Sequence, residues 1–171
     1  MKRILAILTL AAMTLVAVPA FAQLPTVGGA AIAYNAVGID HDAGDRWSTY
    51  YYAGLRMFKP DSTSSVYGVV HYLNVNGTGV SGWGGKMVLV SQIPESEFFL
   101  LSGLGFLSTI AEQSDGSETT GLMADFAVSW QASSMIDVAA GIQAVDRGPE
   151  FSLSIHGTFI VKNISALIPG A

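Results

Sequence analysis

The chain has 171 residues, a formal net charge of −5, no cysteine, and an apolar half set against only 12% charged residues. An acidic balance excludes a basic nucleic-acid-binding face and docking on anionic lipid through a lysine patch. Without cysteine there are no disulfides, so stability must come from a buried core or a closed hydrogen-bond ladder.

The amino terminus sets the location. Lys2 and Arg3 precede an apolar run from Ile4 to Val18, which ends on Pro19-Ala20-Phe21-Ala22 with small residues at positions 20 and 22. This is the pattern of a cleaved secretory signal peptide, and the run is short for a helical span. Residues 1–22 are therefore read as the signal and 23–171 as one β-barrel domain. Cleavage leaves 149 residues with a net charge of −7, since two cations leave with the signal. Glycine or polar residues interrupt every later apolar stretch before it reaches the length of a membrane helix.

Eight strand-like segments of roughly 10 to 14 residues follow, separated by turn-forming clusters. Gly28 to Gly38 is the weakest pattern, though Ala31, Ala33 and Val37 flanking Tyr34 and Asn35 can still form a strand. Arg46 to Phe58 sets Trp47, Tyr51, Ala53, Leu55 and Met57 against Arg46, Ser48, Tyr50, Tyr52 and Arg56. Ser65 to Val75 and Glu97 to Thr109 are apolar on both faces, which leaves their orientation open, and His71 with it. Gly84 to Ile93 opposes Met87, Leu89 and Ile93 to Lys86, Val88, Val90 and Gln92. Thr120 to Gln131 alternates most cleanly, with Leu122, Ala124, Phe126, Val128 and Trp130 opposite Gly121, Met123, Asp125, Ala127 and Ser129. The last two segments repeat the dyad: Ile136, Val138, Ala140 and Ile142 against Asp137, Ala139, Gly141 and Gln143, then Phe151, Leu153, Ile155 and Phe159 against Ser152, Ser154, His156 and Thr158. A period of two places one greasy and one polar face on each strand.

The connections also alternate. Ile39 to Asp45, Asn76 to Gly82, Glu112 to Thr119 and Asp146 to Pro149 are rich in charge or glycine, whereas Lys59 to Ser64, Ile93 to Ser96 and Ala132 to Ser134 are turns. An even strand number with two kinds of connection predicts an all-β, eight-stranded antiparallel up-and-down transmembrane barrel, the first set of loops facing outside. In that arrangement Arg56, Lys86, Asp125 and Asp137 form a charge network in a lumen filled by side chains, joined by the polar residues Tyr50, Tyr52, Gln143, His156 and Thr158. Trp47, Trp83, Trp130, Phe151 and Phe159 sit on the greasy face as interfacial aromatics. The alternative, a soluble periplasmic barrel around an apolar ligand, turns the same four charges outward.

The run Ala124-Asp125-Phe126-Ala127-Val128-Ser129-Trp130-Gln131, with Ile136-Asp137-Val138-Ala139-Ala140-Gly141-Ile142 and Asp146-Arg147-Gly148-Pro149-Glu150-Phe151-Ser152-Leu153, resembles the last strands of the outer-membrane transporters of phenol meta-pathway degradation. The resemblance covers about 40 residues and implies an outer-membrane barrel and, at its furthest, transport of small hydrophobic compounds. Two departures matter: such transporters are longer, which stands against transport, and this chain runs past Phe159 to Ala171 where many outer-membrane barrels end on an aromatic, which stands against the usual assembly signal.

Catalytic and metal chemistry is sparse. Asp40-His41-Asp42-Ala43-Gly44-Asp45 has the alternate aspartates that suit calcium, without the EF-hand spacing or its closing glutamate, and reads as a solvated acidic loop. His156 and Thr158 share a face, and with no acid fixed nearby in sequence they read as lumen hydrogen-bonding groups rather than a lipid-modifying site. No cofactor and no enzymatic activity are expected. The expected surroundings are outer-membrane lipid, lipopolysaccharide and the barrel-assembly machinery, in a structural, adhesive or interaction role at the cell outer membrane.

Overall fold

The computed structural model describes residues 26–37, 46–76, 80–111, 118–146 and 151–163. The signal peptide, the Asp40 to Asp45 cluster, most of the Glu112 to Thr119 loop, Arg147-Gly148-Pro149 and the tail from Ile164 onward lie outside the described residues.

Eight strands, β1 (Thr26–Val37), β2 (Trp47–Phe58), β3 (Ser64–Val75), β4 (Val80–Gln92), β5 (Phe98–Ala111), β6 (Glu118–Gln131), β7 (Ile136–Asp146) and β8 (Phe151–Lys162), follow one another around a closed barrel. All neighbours are antiparallel, and the ring shuts where β1 pairs with β8 from Val27 opposite Lys162 to Val37 opposite Leu153. Closure gives every strand two partners and leaves no bare edge. The register slips between Asn35 and Val37 and between Arg56 and Phe58.

The strands begin and end beyond several of the sequence-based bounds. β4 starts at Val80, so Val80-Ser81-Gly82 belongs to a strand instead of a loop, and Trp83 lies inside β4. β8 continues to Lys162, which takes Val161 and Lys162 out of the supposed tail. The two ambiguous strands acquire an orientation: Val69, His71, Leu73 and Val75 of β3 are buried, as are Gly103 and Leu107 of β5, while Val70, Tyr72, Leu100, Leu104 and Phe106 are exposed.

The outside of the barrel is covered by large apolar side chains. Leu104 is 72% exposed and Leu122 75%, and Ile32, Val70, Phe126, Ile142 and Ile155 stand beside them in the same condition. Toward the end where β1 begins and β8 stops, Phe58, Phe98, Trp130 and Phe159 are exposed; toward the other end, Trp47, Trp83 and Phe151 are. A surface this apolar on a water-soluble monomer would be an aggregation site, whereas a hydrocarbon surround removes the penalty. The strands, 11 to 14 residues long, reach the length a tilted strand needs to cross a bilayer.

Three short turns share one end of the barrel. In the β4–β5 turn Ser96 N donates to Ile93 O at 3.3 Å, and Glu95 has φ of 57°, as a type II turn with Pro94 in its second position requires. In the β6–β7 turn Ser133 Oγ accepts from the backbone N–H groups of Met135 and Ile136 at 3.2 and 3.0 Å. In the β2–β3 turn Asp61 Oδ1 accepts from Thr63 Oγ1, Thr63 N and Ser64 N at 2.8, 2.8 and 2.7 Å. Those bonds, led by the Thr63 hydroxyl, hold the exposed Asp61 carboxyl below its ordinary value of 3.8. A lowered value in the fold means that the contribution is complete above the unfolded-state value and disappears as pH falls through the lowered one. Asp61→Ala should accordingly lower the urea midpoint at neutral pH, and its difference from the wild type should shrink as the carboxyl is protonated in acid. Paired unfolding curves at neutral and acid pH check this.

Candidate functional site

The lumen divides into two halves. On the side of the longer connections, Ala31, Ala33, Tyr50, Leu73, Val75, Leu107, Met123 and Val145 form a buried apolar cluster, with Val80 against it. Leu107 and Val75 are almost wholly enclosed, so this half is a packed plug. On the side of the short turns the lumen instead holds a chamber of about 220 Å³, so the barrel is not filled by side chains throughout as the sequence reading expects. Its walls carry Val69, Val88, Leu101, Ala127, Ala139 and Ile160.

A belt of polar groups separates plug from chamber. Gln143 Nε2 donates to Tyr50 Oη at 2.8 Å, and the Tyr50 ring lies 6.2 Å from the His71 ring. Lys86 of β4 forms an ion pair with Asp125 of β6, across the intervening β5. The pair passes over Gly103, where a Cβ would meet Lys86 Cδ at 3.4 Å and Asp125 Cβ at 3.5 Å, ordinary van der Waals contact. His156 Nε2 lies 3.0 Å from Asp125 Oδ1, and a carboxylate only accepts, so the ring nitrogen donates. In the neutral ring Nδ1 then accepts from Thr158 Oγ1 at 2.9 Å. Asp125 thus receives two charge-assisted or polar donors in a site where its side chain is 12% exposed.

The structure brings Lys86 and Asp125 together but not the four expected charges. Asp137 pairs with Lys162 at 2.8 Å, at the chamber mouth. Lys162 escapes sequence reading because it follows apolar Val161 and resembles the start of a tail; the length of β8, from Phe151 opposite Asp146 to Val161 opposite Ile136, is the signal that reveals it. Arg56 lies on the inner face of β2, half-buried, and makes no ion pair among the described residues. Tyr52 Oη donates to Phe159 O at 2.9 Å. Trp47, Trp83, Trp130, Phe151 and Phe159 are all on the outer face, with Trp130 Nε1 donating to Glu97 Oε2 at 3.1 Å.

The residues Thr158, His156 and Asp125 form a hydrogen-bonded chain, and the acid absent from the neighbouring sequence comes from two strands away. Acyl-transfer chemistry would need donors aimed at a developing oxyanion. Around Thr158 the backbone N–H groups are committed to pairing with β1 and β7. The chain is better suited to fixing the rotamers of the polar belt. Among the described residues no cluster of three or more His, Asp or Glu side chains could hold a metal ion.

A closed antiparallel ring with ion pairs inside and a continuous apolar exterior defines the architecture of small outer-membrane barrels. Solved structures share that fold. Neisserial surface protein A (NspA) superposes with a TM-score of 0.54 at 14% identity, over 81% of this chain and 96% of that one. The Yersinia pestis outer membrane protein Ail in a phospholipid nanodisc gives 0.52 at 12% identity, over 81% and 98%. The N-terminal β-barrel domain of Pseudomonas aeruginosa OprF gives 0.51 at 10% identity, over 80% and 96%. No protein-family model matches the chain. No curated protein matches it in sequence either. The likeness of the C-terminal strands to the phenol meta-pathway transporters gains no support from these matches.

Removing one partner of an enclosed ion pair strands the other charge, at about 3–5 kcal/mol. Asp125→Asn should therefore destabilise the barrel on that scale, and Lys86→Met added to it should recover most of the loss. Urea unfolding in lipid vesicles of the two single variants and the double variant measures the coupling.

Proposed function

We propose that this chain is a small barrel of the outer membrane with no enzymatic activity, serving a structural, adhesive or interaction role at the cell envelope. The observation that carries the reading is the inversion of polarity: apolar side chains cover the outside, while Lys86, Asp125, Asp137 and Lys162 pair within. A soluble barrel has the opposite distribution. The export signal read in residues 1–22 supports delivery across the inner membrane. The matched structures include a protein named for the outer membrane and one named for the surface, in agreement with that destination.

The apolar plug favours an interaction role over transport. Leu73, Val75, Leu107, Met123 and Val145 occupy the lumen on the side of the longer connections, where a conduit would need an opening. In this reading the acidic stretches of the sequence at Asp40 to Asp45 and Glu112 to Glu118 supply the partner chemistry, with lipopolysaccharide as neighbour. Separation of inner and outer membranes, followed by comparison of boiled and unboiled gel mobility, tests the location. Recovery in the soluble periplasmic extract, without a heat-dependent shift, overturns it.

The membrane reading also makes a quantitative demand. Leu104 lies midway along β5 on the outer face, so Leu104→Arg places a cation at the centre of the apolar band. A loss of about 2–4 kcal/mol is expected there. An unchanged free energy of unfolding from lipid vesicles would contradict a bilayer around this surface. Planar bilayers containing the wild-type protein should show no steady ionic conductance.

A further inference from the structure

The chamber has a mainly apolar wall, a balanced set of charges and buried polar groups with no hydrogen-bond partner among the described residues, Ser129 Oγ and the ring of His71, of which the ring carries two such atoms. His71 is 7% exposed and lines the chamber, yet neither ring nitrogen has a hydrogen-bond partner. Its ring rests over Gly84, where a Cβ would come within 2.6 Å of Nε2, so the strand opposite offers no side chain to satisfy it. A buried polar group left unpaired carries its full desolvation cost, and such a group in a cavity marks a place where a ligand gains by supplying the partner. The other polar groups of the belt are already engaged: Tyr50 with Gln143, Lys86 with Asp125, and His156 with Asp125 and Thr158.

From this we infer that the chamber is a binding site for a small neutral amphiphile with a slender apolar body and one hydroxyl, entering from the short-turn end with the hydroxyl toward His71. Three observations define that chemistry. The imidazole can both donate and accept, which matches a hydroxyl. The lining holds two cations and two carboxylates, Lys86 with Asp125 and Lys162 with Asp137, so neither a carboxylate nor an ammonium head finds a free counter-ion there. Beside the hydroxyls of Tyr52, Tyr67, Ser129 and Thr158, the wall carries Val69, Val88, Val90, Phe99, Leu101 and Ile160, whose side chains offer water no partner. An apolar cavity of about 150 Å³ takes benzene, so 220 Å³ has room for about nine non-hydrogen atoms. A straight eight-carbon alcohol is of that size. Arg56, on the inner face of β2 but not in the chamber lining, makes no ion pair among the described residues, so its attraction for an anionic head is tested as well.

The full barrel in lipid nanodiscs, with labelled Val and Leu methyl groups, is titrated with 1-octanol, 1-chlorooctane and octanoate at equal membrane loading. Methyls of Val69, Val88, Val90 and Leu101 report the chamber; those of Leu104 and Leu122 report the surrounding bilayer. The expected result is saturable movement of the chamber methyls by 1-octanol, with 1-chlorooctane and octanoate each weaker by roughly five- to tenfold, the worth of one hydrogen bond. His71→Phe keeps the ring and should bring 1-octanol down to the level of the chloride. Ala139→Leu, which fills the chamber without touching His71, should abolish the chamber response to both, so the inference remains testable even where His71→Phe does not fold. Equal response to alcohol and chloride in the wild type overturns it. So does tighter octanoate binding that Arg56→Gln removes, movement confined to Leu104 and Leu122, or an unaltered response in Ala139→Leu.

Discussion

The pairing of β1 with β8 is the constraint on which the rest of the molecule depends. Without it two strands would carry rows of unsatisfied N–H and C=O groups into an apolar surround, at several kcal/mol for each group. With it, the backbone satisfies itself and each strand is free to sort its side chains strictly by face. The chain has no cysteine to substitute for this ladder and few charges to reinforce it. The two chain ends of the barrel are held by the same joint: Asn163 N donates to Thr26 O at 2.6 Å, just past the last ladder pairs.

Closure also creates the interior in which the charges become meaningful. In water, a Lys–Asp pair contributes little; inside a narrow cylinder it is the condition for having either residue at all. Lys86 and Asp125 come from strands that are not neighbours, so their pairing ties β4 to β6 over Gly103 of β5. Asp137 and Lys162 belong to adjacent strands and sit at the mouth, where β7 begins and β8 ends. The first pair fixes the cross-section at mid-height, and the second fixes the rim. Between them the wall carries Val69, Val88, Leu101 and Ile160 around the chamber.

The strand count and the polarity of β2, β4, β6, β7 and β8 were legible in the sequence because one face of each is greasy and the other is not. β3 and β5 were illegible for a physical reason. Leu73, Val75 and Leu107 build the plug, while Val70, Tyr72, Leu104 and Phe106 cover the outside, so both faces are apolar and the period of two vanishes. The polar belt was only half visible: alternation puts Lys86 and Asp125 on the same kind of face but cannot show which strands lie within reach. Lys162 was hidden by its position at a strand end, and His71 by the ambiguity of β3. The chamber could not be read at all, since its volume is a sum over eight strands and depends on how far each inward side chain extends.

Because Val27 pairs with Lys162 and Asn163 bonds to Thr26, the barrel's first and last described residues meet at one rim. Covalent order is then almost arbitrary with respect to the ring. A peptide linker could join these ends, and the chain could be reopened at the exposed Ser134 of the β6–β7 turn, giving a circular permutant with the same cylinder. Such a rearranged gene product would insert with a different strand leading, while its final wall would be unchanged.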